Sequence, residues 1–208
     1  MKILGLHLVM VLALYGCSTM TPARYSMSAD TNQLLKQFRG RKAVLTELVS
    51  AASYEPTCRL MGPIQAGDGL TIPQFVVKAF NDELKFADLY DEVQGVRLSG
   101  SMDKVAFSSA SGWWDLAMTL RSEKGVQFSV EHRYTFTTSF DAFTACAQTA
   151  QALGAATQDL IKKLYRTPSF QAYLSDESCL ESAIRGYWQS GSCITNGLRP
   201  AGKSTRRL

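Results

Sequence analysis

The first residues with evident chemistry are 14–17, Leu-Tyr-Gly-Cys, at the end of a short apolar run. Lys2 places a positive charge before the run, and residues 3–15 are too few to cross a bilayer, because a spanning helix needs about 20 apolar residues. A small residue, Gly16, precedes the Cys17 thiol. This spacing is typical of a bacterial lipobox, so we predict a signal peptide over residues 1–16 and lipidation of Cys17. The alternatives are a buried helix or an ordinary cleaved signal with an incidental cysteine.

The location follows from the proteins whose lipobox this segment resembles. In those proteins the cysteine is lipidated, the peptide is cleaved before it, and the new amino group is acylated. Each buried methylene contributes about 0.8 kcal/mol, so three acyl chains hold such a protein at a membrane essentially permanently. Ser18 follows the cysteine, where inner-membrane retention signals carry Asp. The resemblance implies the periplasmic face of the outer membrane.

Four further cysteines can form disulfide bonds: Cys58, Cys146, Cys179 and Cys193. An even number suits an oxidising compartment, and three pairings are available. We favour Cys58 with Cys146, which links distant parts of one core, and Cys179 with Cys193, which closes a short loop. Zinc binding is the alternative, but the spacings lack the short pair of structural zinc sites. We therefore predict no metal site and no cofactor.

Catalytic groups are sparse in the mature sequence. Its only imidazole, His132, shares the apolar parity of Val130 and Tyr134, so we predict a core histidine bonded to Tyr134 or to backbone. Residues 108–112 lack the leading glycine of a nucleophile elbow. Adjacent carboxylates on a helix point in different directions, whereas acid–base catalysis needs carboxyl groups that converge. We predict that the protein is not an enzyme.

Trp113 and Trp114 are the candidate contact residues. Consecutive strand residues face opposite sides of a sheet, so one of the two indoles must lie outside the core. We predict that the outer indole contacts a partner. The alternative is that a loop or the C-terminal tail covers it.

Composition limits the remaining classes of function. A formal net charge of +4 is too mild for a nucleic-acid-binding surface, so no nucleic-acid partner is expected. After residues 1–16 are removed, about 190 residues remain, which suits one domain. Beyond the first residues no apolar run is long enough to span a membrane.

Local patterns predict the elements that carry these residues. A helix is expected over residues 70–90, because Thr71 and Gln74 have capping-box spacing and Pro73 falls in the first turn. Three strands follow, with a bulge near residues 100–104 and a turn at residues 122–125.

A second, longer helix is expected over residues 140–166, and Pro168 ends it. Its buried stripe includes Phe143 and Cys146, and the inward position of Cys146 is the one that a bond to Cys58 requires. Residues 43–52 fit either a helical stripe or a buried strand, and the pattern alone does not decide between them.

Several segments resemble a group of small, mostly uncharacterised proteobacterial outer-membrane lipoproteins. The segments are residues 54–64 (Tyr-Glu-Pro-Thr-Cys-Arg-Leu-Met-Gly-Pro-Ile), 77–84 (Val-Lys-Ala-Phe-Asn-Asp-Glu-Leu), 113–114 with 122–125, and 145–146 with 158–161. At the level of fold alone, the order strand, helix, three strands, helix resembles accessory lipoproteins of ABC transporters and lipopolysaccharide export. This second likeness implies that residues 43–52 form the first strand.

The sequence thus predicts an α+β fold: strand, helix, three-strand meander and helix, with an antiparallel sheet and two helices packed on one face. The expected organisation is a signal peptide (1–16), a tether (17–41), an α+β domain (42–174) and a C-terminal appendage of low order (175–208). We expect a non-enzymatic, periplasm-facing outer-membrane lipoprotein that is an accessory or scaffold in an envelope transport or assembly complex. Its expected partners are the outer membrane, through the lipid anchor, and an envelope protein. The alternative is a carrier of lipid or another apolar ligand, which requires a cavity between sheet and helices.

Overall fold

The computed structural model describes Met20 and residues 24–38, 41–50 and 53–175. The elements, in chain order, are α1 (Ala29–Leu35), β1 (Ala43–Ser50), a 3-10 turn (Gly67–Gly69), α2 (Ile72–Phe86), β2 (Val96–Ser108), β3 (Trp113–Ser122), β4 (Gln127–Thr135), α3 (Ala142–Tyr165) and α4 (Pro168–Ser175). The fold class is α+β, as predicted. Residues 43–50 form a strand, as the likeness to the transport lipoproteins implies.

The start of α2 follows directly from its sequence. The Thr71 hydroxyl accepts the N–H of Gln74 at 3.4 Å, and the Gln74 side-chain oxygen accepts the N–H of Thr71 at 2.9 Å. This reciprocal pair is a capping box, and Pro73 lies in the first turn, where a missing N–H costs nothing. The predicted helix start is confirmed.

The four strands form one open sheet in the order β1-β2-β3-β4. The β2–β3 and β3–β4 pairs are antiparallel, as predicted, but β1 pairs parallel with β2, so the sheet is mixed. The reason is the crossover through α2, which returns the chain to the end of the sheet from which β1 began. The predicted bulge lies between Met102 and Lys104, and another irregularity lies between Leu45 and Glu47.

The helices pack on one face of this sheet, α2 against β1 and α3 against β3 and β4. Large side chains fill the space between the layers; the largest fully buried ones are Trp114, Tyr165, Tyr173, Phe80 and Phe170. The rings of Phe128 and Phe170 meet edge to face with centroids 5.0 Å apart. Pro168 ends α3 as predicted, but the chain then forms α4, which supplies Phe170 and Tyr173 to the core.

A disulfide bond joins Cys58 to Cys146, which confirms this predicted pair. Both cysteines are buried, and the bond ties the long connection between β1 and α2 to the first turns of α3. A disulfide that closes a loop of this length contributes roughly 2–5 kcal/mol to stability in typical small domains.

The segment before β1 lies against the helices. Glu83 of α2 is fully buried, and its Oε1 accepts hydrogen bonds from the Tyr25 hydroxyl and the Ser28 N–H, both at 2.8 Å. Asn32 donates to the Phe86 carbonyl at 2.8 Å, and Leu35 is fully buried. A tether was predicted over residues 17–41. These contacts correct that prediction for residues 24–38, which pack against α2 as part of the folded body.

Met20 also contacts the body. Its N–H donates to the Pro63 carbonyl at 3.2 Å, and its carbonyl accepts the N–H of Gln65 at 3.0 Å, in a parallel bridge to Ile64. The Met20 side chain is buried. Within the described ranges, none of the helices has both the length and the apolar character needed to cross a bilayer.

Replacing Glu83 tests how the N-terminal segment is held. Glu83→Ala leaves the Tyr25 hydroxyl and the Ser28 N–H without an acceptor and creates a cavity, so we expect the free energy of unfolding to fall by about 2 kcal/mol. Urea unfolding followed by circular dichroism gives the value. The matched control is the adjacent Asp82→Ala, which removes only the surface pairs with Lys78 and Lys85 and should cost less than about 0.5 kcal/mol. Equal losses in the two variants would contradict the assignment.

Candidate functional site

The two tryptophans lie on opposite faces of β3, as their alternation predicts. Trp114 is fully buried, and its Nε1 donates to the Thr149 carbonyl of α3 at 2.8 Å. Trp113 lies half-buried on the other face, which the helices leave uncovered. The predicted contact with a partner therefore applies to the indole of Trp113.

Trp113 lies in an array of charged side chains on this uncovered face, which we call the polar face. The polar face comprises the outward residues of β2–β4 around Trp113: Asp103, Lys104, Asp115, Thr119, Ser129, Glu131 and Arg133. The Arg133 guanidinium carbon lies 4.6 Å from the centroid of the Trp113 ring, a cation–π contact. Arg133 also donates to Asp115 Oδ2 at 2.6 Å. The indole is thereby held in one orientation.

Asp115 is the centre of the array. Only 5% of its side chain is exposed, and Lys104 Nζ lies 2.9 Å from its Oδ2 and 3.0 Å from Glu131 Oε1. Burial alone would raise the pKa of Asp115, but the hydrogen bonds and positive charges of Arg133 and Lys104 outweigh burial and hold the pKa below its ordinary value. Asp115 is therefore ionised at neutral pH.

Hydroxyl side chains extend the polar face along the strands. Asp103 accepts hydrogen bonds from Ser101 and Thr119, each at 2.6 Å. The Thr119 and Ser129 hydroxyl oxygens lie 2.9 Å apart. These polar groups satisfy one another before any partner arrives.

His132 faces the helices, as predicted, but its environment differs from the prediction. The side chain is only partly buried, and Nε2 lies 3.6 Å from Asp159 Oδ2 of α3, rather than bonding to Tyr134 or backbone. His132 lies on β4, an edge strand of the sheet, where α3 brings Asp159 next to the imidazole. A histidine and a carboxylate are two parts of a nucleophilic triad. The described cysteines, Cys58 and Cys146, are joined to each other, so neither can be the third part.

An open cleft of about 1450 Å³ lies beside the end of β1. Its walls are β1, the connection between β1 and α2, and the first turns of α2; its apolar lining includes Leu48, Val49, Ile64, Leu70, Ile72, Val77 and Val105. The apolar-ligand alternative predicts a cavity between sheet and helices, but aromatic side chains fill that space. The open volume lies instead at the sheet edge.

Other predicted site residues fall outside this region. Cys17, Cys179 and Cys193 lie outside the described residues, and lipidation of the first and pairing of the other two stay predictions. Phe143, predicted on the buried stripe of α3, is instead exposed: it lies in the first turn of α3, six residues before Thr149, which contacts Trp114 near the start of β3. In the described part of the chain, no three His, Cys, Asp or Glu side chains cluster as a metal site would require.

The pH dependence of stability tests the array around Asp115. The pKa of Asp115 is lower in the folded state than in the unfolded state, where it is about 3.9. The ionised carboxylate therefore stabilises the fold above the unfolded pKa. This stabilisation is lost as the pH falls through the folded-state pKa. We expect Asp115→Asn to lower the free energy of unfolding by about 1 kcal/mol at neutral pH. The difference between the two proteins should shrink below about pH 4. Urea unfolding at a series of pH values measures it, and a difference independent of pH would contradict the account.

Comparison with known proteins gives one distant likeness. No family model matches the chain, and no curated protein matches it. A crystal structure of a Xanthomonas campestris protein assigned to DUF330 is similar with 15% sequence identity and a TM-score of 0.37, over 71% of this chain and 95% of that chain. A likeness of this size carries no argument about function.

Proposed function

We propose that this chain is a non-enzymatic, periplasm-facing outer-membrane lipoprotein, which acts by binding as an accessory or scaffold of an envelope transport or assembly complex. The lipobox at residues 14–17 supports the location. The observation that carries the binding role is the indole of Trp113, held by Arg133 on a sheet face that the helices leave uncovered.

The geometry of Trp113 suits an interface with another protein. Tryptophan and arginine are enriched among the residues that contribute most binding energy at protein interfaces. Because Arg133 is bonded to Asp115 and lies over the indole, both side chains lose little conformational freedom when a partner covers them.

The surroundings of Trp113 also favour a protein partner. Positive and negative side chains alternate on the polar face: Lys104 and Arg133 against Asp103, Asp115 and Glu131. A face of mixed charge suits a protein surface better than a polyanion. Since Ser101, Thr119 and Asp103 already bond to one another, a partner can cover them without leaving buried polar groups unpaired.

The cleft beside β1 supports a second candidate function, binding of a lipid or another apolar ligand. Its apolar lining gives such a ligand a surface to bury. In this case the ligand occupies the edge of the sheet, and Trp113 on the polar face takes no part in binding.

Crosslinking in living cells tests the proposed interface. A photoreactive phenylalanine analogue replaces Trp113 in one variant and Phe86, an exposed aromatic residue on α2, in the matched control. We expect a discrete crosslinked envelope protein from position 113 and none of that mass from position 86. Bands of equal yield at the two positions, or no band at 113, would overturn the assignment.

Truncation of the Trp113 side chain measures how much it contributes to the binding affinity. With the captured partner purified, Trp113→Ala should weaken binding by about 30-fold, the equivalent of about 2 kcal/mol, because an interface tryptophan typically contributes this much. Phe86→Ala should leave affinity unchanged.

Native mass spectrometry of the purified protein addresses the second candidate function. Bound lipid that is retained in Trp113→Ala would favour the apolar-ligand function instead.

A further inference from the structure

Three exposed apolar side chains lie on segments that the disulfide and the Arg59 guanidinium join. Leu60 is 96% exposed, Phe140 is fully exposed and Phe143 is 54% exposed. We call these three residues the apolar tip. Single exposed apolar residues are common on protein surfaces, but a group of large ones at one end marks a contact with a protein or a membrane.

The loops that carry the apolar tip are held firmly. The bond between Cys58 and Cys146 joins the Leu60 loop to the start of α3, close to Phe143. Arg59 donates from Nε and Nη2 to the hydroxyl and carbonyl oxygens of Ser109, at 3.0 and 2.8 Å, and from Nη1 to the Phe140 carbonyl at 3.2 Å. One disulfide and one guanidinium thus fix three loops together.

The backbone around Leu60 is in an unfavourable conformation. Arg59 and Leu60 both have positive φ, 44° and 62°, in the left-handed region that favours glycine. The turn is closed by hydrogen bonds from the Cys58 N–H to the Gly62 carbonyl at 3.0 Å and from the Met61 N–H to the Cys58 carbonyl at 2.8 Å. An apolar side chain is therefore held in water on a strained backbone. Such strain is typical of functional positions.

The same loop receives the N-terminal segment. Pro63, three residues after Leu60, accepts the N–H of Met20 at 3.2 Å. Cys17 precedes Met20 by three residues in the sequence, and three residues of chain span at most about 11 Å. A lipid on Cys17 is therefore tethered to Met20 by no more than this length, and Met20 pairs with the loop that carries Leu60.

We propose that the apolar tip inserts into the membrane interface beside the lipid on Cys17, so that its partner is the bilayer surface. This inference rests on the proposed lipid anchor. Arg59, the cation next to Leu60, donates hydrogen bonds to Ser109 and Phe140 and lies near Asp141, so burial of apolar surface rather than attraction to anionic headgroups drives insertion. Apolar groups at such interfaces enter to a depth of about 5–10 Å. The lipid and the tip together hold the body in one orientation.

Depth-dependent quenching tests the proposal. The full chain is expressed in a Gram-negative host, and its lipidated form is placed in vesicles of phosphatidylethanolamine and phosphatidylglycerol with brominated acyl chains. A small fluorescent amino acid replaces Leu60, Phe140 or, as the matched control, Val93, an exposed apolar residue on the loop before β2. We expect quenching at 60 and 140 to exceed quenching at 93 by at least about threefold and to be insensitive to salt. Equal quenching at the three positions would overturn the inference. The same result is expected if the tip binds a protein rather than the bilayer.

A second variant separates insertion from folding. Leu60→Ser combined with Phe140→Ser changes only exposed side chains, so thermal unfolding should be unchanged while a reporter at position 143 loses most of its quenching. Retained quenching would count against insertion. Failure of the lipid anchor can be told apart from failure of tip insertion. In that case the mass of the N-terminal peptide shows no acyl groups, and the protein does not float with vesicles. That result overturns both proposals, whereas a lipidated, vesicle-bound protein with an unquenched tip overturns only this one.

Discussion

The buried carboxylate of Glu83 determines how the start of the chain relates to the rest of the molecule. It lies inside α2, and it receives the Tyr25 hydroxyl and the Ser28 N–H from residues more than fifty positions earlier. Burial raises the pKa of this carboxyl, although the hydrogen bonds from Ser28 and Tyr25 oppose the shift. Removing such a group from water is costly, so its hydrogen bonds strongly favour one position of the N-terminal segment.

The disulfide bond is a second constraint, and it acts on the connection between β1 and α2. Cys58 binds this connection covalently to α3, and Met20 pairs with it at Pro63 and Gln65. Met20, the loop that carries Leu60 and the cleft therefore all adjoin one connection. The polar face around Trp113 lies on the side of the sheet opposite the helices, whereas the apolar tip lies on the loops that Arg59 and the disulfide join.

Much of this fold follows from short-range rules in the sequence. The Thr71–Gln74 capping box, the bulge at Met102–Lys104 and the opposite orientations of Trp113 and Trp114 depend on residues close in the chain, and all were predictable. The bond between Cys58 and Cys146 was the favoured one of three possible pairings for these residues, and the helical pattern placed Cys146 inward, as the bond requires.

Features that depend on distant partners were not predictable in the same way. The parallel pairing of β1 depends on the path of the α2 crossover, and the bonds of Asp115 depend on strand register. Residues 24–38 have a linker-like composition, but Tyr25, Ser28 and Asn32 find partners on α2 that no local pattern indicates. Phe143 continues the apolar stripe of α3 in the sequence, but it lies in the first turn of the helix and is exposed.

Amide hydrogen exchange of the full chain tests most directly the claim that the N-terminal segment is part of the body. The N–H groups of Met20 and Ser28 donate to Pro63 and Glu83, so we expect them to exchange orders of magnitude more slowly than in an unstructured peptide. Exchange of both at the unstructured rate, while the amides of α2 stay protected, would contradict this claim.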